Sequence, residues 1–468
     1  MTPITFGTDG WRAVIAEDYT FANLERVARA TGQWIARVAD GEPSAVIGYD
    51  ARFLSDAFAR RTAEVLASLG VRVQLADAFV TTPAVSWATK AYGHTAGIVI
   101  TASHNPPQYN GFKIKSRHGG PADPDMIAEV ERELGRLEEG FERRGLDALA
   151  REGRIETINL REAYRHVLLD ALDIEGIRRS GLRVGCDPMF GAGQGLVTDL
   201  LGRENVVEIH DDHNPGMHGQ APEPIERNLG YLSRLIVEER CDVGLAFDGD
   251  ADRIGMFDEE GRFVDSHKIL ALLVKYLHEE KGMTGDIVKT FSTTDMLDRM
   301  GAAYGLRVVT TPIGFKYIAP KIVEGDVLVG GEESGGIAVK GHVPERDGIF
   351  IGLTVVEMMM ARGRRLSELV EELQAEFGPL HYARNDFHTT QAKKDAFLAR
   401  LANRPDTIAG EAVERVEDLD GVKFRLSDGW LMFRPSGTEP VLRVYAEASS
   451  RERAERLVAT GVEMVEVG

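Results

Sequence analysis

Cysteine is scarce in this chain: Cys186 and Cys241 are the only two among 468 residues. Two thiols cannot build a disulfide framework for a chain this long, so the composition points to a reducing compartment. Long apolar runs are also missing. No stretch of about 18 residues is apolar enough to cross a bilayer, and the opening MTPITFGTDGWR lacks the basic-then-apolar pattern of a secretory signal. These absences predict a cytoplasmic protein. Positive charge is in deficit: 55 Lys and Arg stand against 74 Asp and Glu, a net charge of −19. That balance excludes a general nucleic-acid binder or a binder of anionic membranes, but a local arginine and lysine cluster can still hold a small phosphorylated molecule. No segment is of low complexity.

What is present is a globular composition, 43% hydrophobic and 28% charged. The length exceeds what one ordinary core supports, so several domains are expected. Three segments read as strand, loop, helix, strand: 44–77, 181–212 and 285–312. Short Val/Ile/Leu strands alternating with helices indicate α/β units around mostly parallel strands. Three separated units predict three related domains, not one large sheet. The tail differs, with strands in GVKFRLSDGWLMFRPSG and VLRVYAEAS and a closing helix in RERAERLVATGVEMVE, a small α+β domain. A charged helical stretch, a polar turn at DEEGRFVD and a helix stopping at Gly-Pro divide the chain into 1–152, 153–258, 259–373 and 374–468.

Four loops carry chemistry. In FDGDADR the strand CDVGLAF ends in Asp248, Asp250 and Asp252, whose alternate spacing turns three carboxylates into one loop. Hard oxygen donors suit Mg2+ or Ca2+, not zinc. An EF-hand loop is the competing reading, and Glu259 stands at its twelfth position, but Arg253 occupies the sixth, where the turn needs glycine. The other alternative is a solvated acidic turn. In TASHNPPQYNGFKI (101–114), Ser103 leaves an apolar strand, followed by His104, a Pro-Pro pair, Asn110-Gly111 and Lys113. Stiff prolines and a permissive glycine suit a nucleophile held in line with its target. His104 and Lys113 are able to move a proton or neutralise phosphate. No G-x-S-x-G elbow accompanies the serine. GGEESGG (330–336) is either a tight turn or a close backbone approach to a ligand, with Glu332 and Ser334 facing sugar hydroxyls. RPSGTEP (434–440) is either a hairpin loop or a phosphate cradle from Arg434, Ser436, Gly437 and Thr438. It is no Walker A loop, and GAGQG (191–195) lacks dinucleotide spacing and reads as turn chemistry. The run MMM at 358–360 reads as core.

Together with GTDGWR (7–12), these loops follow the order of the α-D-phosphohexomutase superfamily, and the chain resembles that superfamily over its whole length, most like bacterial phosphoglucomutase. The resemblance implies four domains around a central cleft, each giving one loop: the serine loop, the metal loop, the sugar loop and the phosphate loop. It implies Ser103 as phosphoserine, with Asp248, Asp250 and Asp252 holding Mg2+ and the Ser103 phosphate as a further ligand. Arg12 and Arg253 steady the phosphoryl group, His104 and Lys113 are the acid/base candidates, and Glu332 and Ser334 hold the sugar. Arg434, Ser436, Gly437 and Thr438 grip the phosphate not in transfer, and Lys289 and Gly314 line the cleft. The implied reaction interconverts glucose 1-phosphate and glucose 6-phosphate through a reoriented glucose 1,6-bisphosphate. GEESGG resembles the phosphoglucomutase sugar loop. The form shared by enzymes acting on both mannose and glucose phosphates often has His where this chain has Gly336, so phosphomannomutase is the alternative. A Mg2+-dependent phosphatase and a non-catalytic sugar-phosphate sensor are the other classes. Hexose phosphates are the expected partners, and monomer and homodimer both stay open.

Overall fold

The computed structural model describes residues 4–7, 9–401, 404–408, 410–435 and 441–466. Its first sheet contains β1 (Trp11–Val14), β2 (Ser44–Tyr49), β3 (Arg72–Ala76), β4 (Ala96–Ile100), β5 (Tyr109–Lys115) and β6 (Ile155–Ile158), in the order β1-β5-β4-β2-β3-β6. The second contains β7 (Val184–Asp187), β8 (Val206–Glu208), β9 (Val243–Phe247), β10 (Ile254–Asp258) and β11 (Phe263–Val264), ordered β11-β10-β9-β7-β8. The third contains β12 (Asp286–Thr290), β13 (Val308–Thr311), β14 (Val327–Gly331) and β15 (Ile337–Val339), ordered β13-β12-β14-β15.

One topology recurs in all three. A central strand (β2, β7 or β12) has parallel neighbours on both sides, and one neighbour (β4, β9 or β14) turns back into an antiparallel partner (β5, β10 or β15). The three related mixed-sheet α/β units expected from the sequence are present. Strands such as AGIVI in β4 and VGLAF in β9 are buried throughout, as sheets covered by helices on both faces require. The recurrence places the chemistry. The serine loop joins β4 to β5, the acidic loop joins β9 to β10, and the sugar loop joins β14 to β15. Each therefore leaves the carboxyl end of a parallel strand, where open α/β sheets bind their ligands.

The units end later than the composition suggested. Strand β6 pairs with β3 beyond residue 152, and the turn DEEGR is a hairpin inside the second sheet, because β11 pairs back onto β10. The helix Leu366–Phe377 runs past 373 and stops at Gly378, whose φ of 83° ends it.

The fourth unit is α+β. Strand β16 (His381–His388) is followed by the ribbon β17 (Thr407–Ile408) and β18 (Glu411–Ala412). Strands β19 (Arg415–Glu417), β20 (Val422–Leu426), β21 (Gly429–Pro435) and β22 (Val441–Ala448) complete an antiparallel sheet ordered β16-β22-β21-β20-β19. The helix Arg451–Glu466 covers one face. One contiguous apolar core runs from one face of the first sheet at Val46 and Val99 through Leu245 to Leu353; the other face of the first sheet packs a separate core around Ile47, Phe58 and Ile98, and the fourth unit packs its own around Phe433 and Leu442. The methionines 358 and 359 belong to the shared core. Among the described residues no helix is long and apolar enough to cross a membrane.

Candidate active site

The serine loop and the acidic loop meet directly. Ser103 Oγ donates to Asp248 Oδ2 at 2.6 Å, and both side chains are buried. Ser103 has φ 52°, a left-handed conformation that costs a non-glycine residue about 1–2 kcal/mol. Ala251, between two of the carboxylates, has φ 57°. Gly249 makes the approach possible: a Cβ there would stand 2.5 Å from the Ser103 carbonyl oxygen. Gly191, in the GAGQG turn, packs against Gly249 from behind.

Oxygens of Asp248, Asp250 and Asp252 lie within 4.8 Å of one another. Asp250 Oδ1 and Asp252 Oδ1 are buried without a hydrogen-bond partner among the described residues. Three hard carboxylate donors, two of them with an orphaned, buried oxygen, fit a divalent cation such as Mg2+. The protein's own cations share this loop. Lys113 Nζ lies 2.8 Å from Asp250 Oδ2, 3.0 Å from Asp252 Oδ2 and 2.8 Å from Asp9 Oδ2. Thr82 Oγ1 donates to Asp250 Oδ2 at 2.5 Å. Burial and the neighbouring Asp250 and Asp252 push the Asp248 carboxyl well above the usual range. Burial would also raise Asp250, but Lys113 overrides it and holds Asp250 low. For Lys113 itself burial opposes the charge, and Asp250, Asp252 and Asp9 win, so the ammonium stays protonated.

His104 Nδ1 is 3.5 Å from Ser103 Oγ. Burial, then Arg253, Arg12 and Lys113, hold its imidazole well below the usual histidine range, which makes it neutral at pH 7. Arg12 Nη1 donates to Asn105 Oδ1 at 2.7 Å, fixing the first motif against the serine loop. Arg253 has Nε 4.0 Å from both Asp248 and Asp252, buried with no hydrogen-bond partner among the described residues.

Four charged groups that the motifs did not single out complete this centre. Asp9 accepts from Arg346 Nη2 at 2.7 Å and Asp252 forms an ion pair with the same nitrogen at 2.7 Å, so one guanidinium ties the first, second and third units together. Beside it, Glu345 accepts from Lys115 Nζ at 2.6 Å. The sequence signal was Glu345-Arg346-Asp347, three charges ahead of a helix buried from Gly348 to Met359; charges in that position need partners. Asp9 stands inside GTDGWR.

Glu332 is buried, 3.9 Å from Arg346 Nη1, and burial pushes its carboxyl up to about 7. Ser334 lines a cavity of about 710 Å³ between the second, third and fourth units, together with Glu333, His267, Tyr382, Arg384 and Arg227. Arg434 donates to Asp420 Oδ1 at 3.0 Å, and Asp420 Oδ2 accepts from the Ile313 amide at 2.8 Å. Ser436, Gly437 and Thr438 lie outside the described residues. Lys289, expected on the cleft wall, is buried near the carboxyl end of β12. It is 3% exposed and turned toward Asp298 and the Thr294 carbonyl, because Asp295 and Asp298 follow on the next helical turn. Gly314 is buried, with φ 133°, at the start of the helix Phe315–Glu324.

Four family models match the chain in succession: phosphoglucomutase/phosphomannomutase alpha/beta/alpha domain I over 3–140, domain II over 162–261, domain III over 265–377 and the C-terminal domain over 392–463. A phosphoglucomutase/phosphomannomutase of Thermococcus kodakarensis is 31% identical over 98% of each chain. A Pyrococcus abyssi protein named a probable phosphoglucosamine mutase is 33% identical over 98% of this chain and 97% of its own. A Thermus thermophilus crystal structure, carrying the provisional name phosphomannomutase, superposes with a TM-score of 0.87 at 37% identity, over 99% of each chain. With four domain matches in order and relatives aligned end to end, the chain belongs to the phosphoglucomutase/phosphomannomutase family of the α-D-phosphohexomutase superfamily.

Proposed function

We propose that this phosphohexomutase interconverts glucose 1-phosphate and glucose 6-phosphate through a phosphoryl group carried on Ser103. The observation that carries the reading is the 2.6 Å contact of Ser103 Oγ with Asp248, in a strained loop at the edge of three clustered carboxylates. In the forward step the Ser103 Oγ–P bond breaks and a P–O bond forms to the free sugar hydroxyl, whose proton passes to a base. Neutral His104, beside Ser103, suits that role, and Lys113, locked as a cation, suits charge neutralisation. The hexose 1,6-bisphosphate turns over in the cleft and returns its other phosphoryl group to Ser103. Arg12 and Arg253 stand beside the serine and acidic loops, where charge develops during transfer. Asp248, Asp250 and Asp252 would hold Mg2+, with the Ser103 phosphate beside them; the ion supplies Lewis-acid and charge-neutralising chemistry when bound. Glu332 and Ser334 would take the sugar hydroxyls, and Arg434 with Ser436, Gly437 and Thr438 the phosphate not in transfer.

The glucose assignment is favoured by Gly336. A Cβ at that position would stand 2.4 Å from Arg346 Cδ, so histidine at 336 and Arg346 compete for one space. Mannose and glucosamine phosphates are the sugars to test against it. Two buried free thiols, Cys186 and Cys241, fit a cytoplasmic setting.

The test is a phosphorus NMR time course with Mg2+, a trace of glucose 1,6-bisphosphate, and glucose, mannose or glucosamine 1-phosphate in parallel. Fastest growth of the 6-phosphate signal from glucose supports the reading; faster mannose or glucosamine conversion replaces the sugar. Inorganic phosphate as the main product makes the protein a phosphatase. Ser103→Ala is expected to lose nearly all turnover while keeping its fold, and turnover near wild type would remove Ser103 from the reaction.

A further inference from the structure

Arg52 lies wholly inside the protein, directly behind the serine loop. A guanidinium has five N–H donors, and here all five are engaged. Nε donates to Asp50 Oδ2 at 3.1 Å. Nη1 donates to the carbonyls of Pro106 at 2.9 Å and Tyr109 at 3.1 Å. Nη2 donates to the carbonyls of Ser103 at 2.5 Å and Asn105 at 2.6 Å. Asp50 anchors the other end of the loop. Its Oδ2 also accepts from Thr101 Oγ1 at 2.6 Å, and Thr101 Oγ1 in turn accepts from the Ser103 amide at 2.8 Å. Both peptide groups of Ser103 are thus tied to one buried ion pair, the N–H through Thr101 and the C=O through Arg52. Fixing those two groups fixes the left-handed φ, and the φ sets where Oγ points.

The repeat in the fold separates what the turn needs from what the serine needs. GYDARF (48–53) at the end of β2 corresponds to GCDPMF (185–190) at the end of β7. Asp50 Oδ1 accepts from the Arg52 amide at 3.1 Å, and Asp187 Oδ1 accepts from the Met189 amide at 2.8 Å. The aspartate therefore belongs to the turn in both units. The arginine stands only in the unit that carries Ser103; its counterpart is Met189, and there Asp187 pairs with His210 at 2.9 Å instead.

We propose that Arg52, with Asp50 and Thr101, is the positioning device for the phosphoryl carrier: it holds Ser103 in the left-handed conformation that aims Oγ at the acidic loop. The proposal rests on Ser103 as phosphoryl carrier. A lysine has three donors on one tetrahedral centre and cannot reproduce a planar fork serving four carbonyls.

The test compares wild type, Arg52→Lys, Arg52→Met and Thr101→Val. Each is incubated with Mg2+ and glucose 1,6-bisphosphate, and Ser103 phosphorylation is read by mass spectrometry. Steady-state kinetics then use whichever hexose 1-phosphate the wild type turns over best, and rates are normalised to the folded fraction by circular dichroism. A displacement of about 1 Å in reacting groups costs about 100-fold in rate. The Arg52 variants are expected to lose about 100-fold in kcat with KM within threefold, because the sugar-binding loops are untouched. Thr101→Val, which frees only the amide end, is expected to fall between them and wild type with the same unchanged KM. A merely structural arginine would lower the melting temperature and leave kcat per folded molecule within twofold; that result overturns the proposal. If the Arg52 variants do not fold, Thr101→Val decides alone, and kcat within twofold of wild type overturns it. Wild type that turns over without phosphate on Ser103 overturns the carrier reading itself, whatever the Arg52 variants do.

Discussion

Glu332 is a carboxylate that the fold keeps out of water, with Arg346 and, more weakly, Arg253 as the cations that oppose its burial. Burial raises its carboxyl from an ordinary 4.5 to about 7. Between those values the folded protein binds a proton that the unfolded chain has lost, so stability falls as pH rises through that window. The full difference amounts to about 3 kcal/mol. Glu332→Gln removes the titration. In the metal-free protein, its urea midpoint should match wild type at pH 5 and exceed it at pH 8; equal midpoints at both pH values would mean that Glu332 is charged and well solvated by its neighbours. At this scale the sequence was legible where one side chain announces its own chemistry. Ser103 beside prolines and three alternating aspartates are visible in a line of text. Arg52, Asp9 and Arg346 were not, since their meaning lies in partners up to 337 residues away. Lys289 shows the same limit: no line of text pairs a lysine in a buried strand with Asp298 on the helix that follows.

The elements explain why separate loops arrive at one place. Each unit turns from the third parallel strand into an antiparallel one, and that connection is the serine loop in the first unit, the acidic loop in the second and the sugar loop in the third. The alternation of Val/Ile/Leu strands with helices revealed the repeat, and with it the α/β class. It did not reveal that the hairpins close the sheets, so polar turns such as DEEGR passed for linkers when they are inside a sheet. The closeness of the loops depends on glycine at 249, not on any group that reacts. An alanine Cβ there must move the Ser103 carbonyl from 2.5 Å to ordinary contact, roughly 1 Å farther. Gly249→Ala is therefore expected to fold and to lose about 100-fold in kcat, the cost of that misplacement. Steady-state kinetics on the folded variant check it, and kcat within twofold of wild type would show that the two loops have room to spare.

The whole molecule is three units fused and one attached. One face of the first unit shares a continuous apolar core with the second and third, and the three are cross-linked at the site through Ser103 with Asp248, Lys113 with Asp250, and Arg346 with Asp9 and Asp252. The fourth has its own core and meets the third through a small cluster of Phe291, Trp430, Met432 and Tyr445. Around that cluster runs a ring of polar links. Arg425 donates to Asp295, the Asp295 amide donates to Glu447 Oε1 at 2.9 Å, and Lys423 Nζ sits 4.4 Å from the Phe291 ring and 4.3 Å from the Trp430 ring. Attachment through one small cluster is the arrangement a swinging unit needs, and it suits the proposed reaction, in which a bisphosphate turns over and is still retained. Asp295 is the hub, because it also faces Lys289 at 3.5 Å. Asp295→Ala leaves Lys289 and Arg425 without the carboxylate between them. Arg425 keeps Glu417 at 3.1 Å and is one-fifth exposed, so the loss is well below the 3–5 kcal/mol of a fully buried broken pair, about 1–2 kcal/mol. Hydrogen exchange should quicken in 289–296 and in β20 and β21, with exchange in β2, β4, β7 and β9 unchanged. An equal rise in all four sheets would mean that the fourth unit is as firmly built into the molecule as the others, and the swing would have to be sought elsewhere.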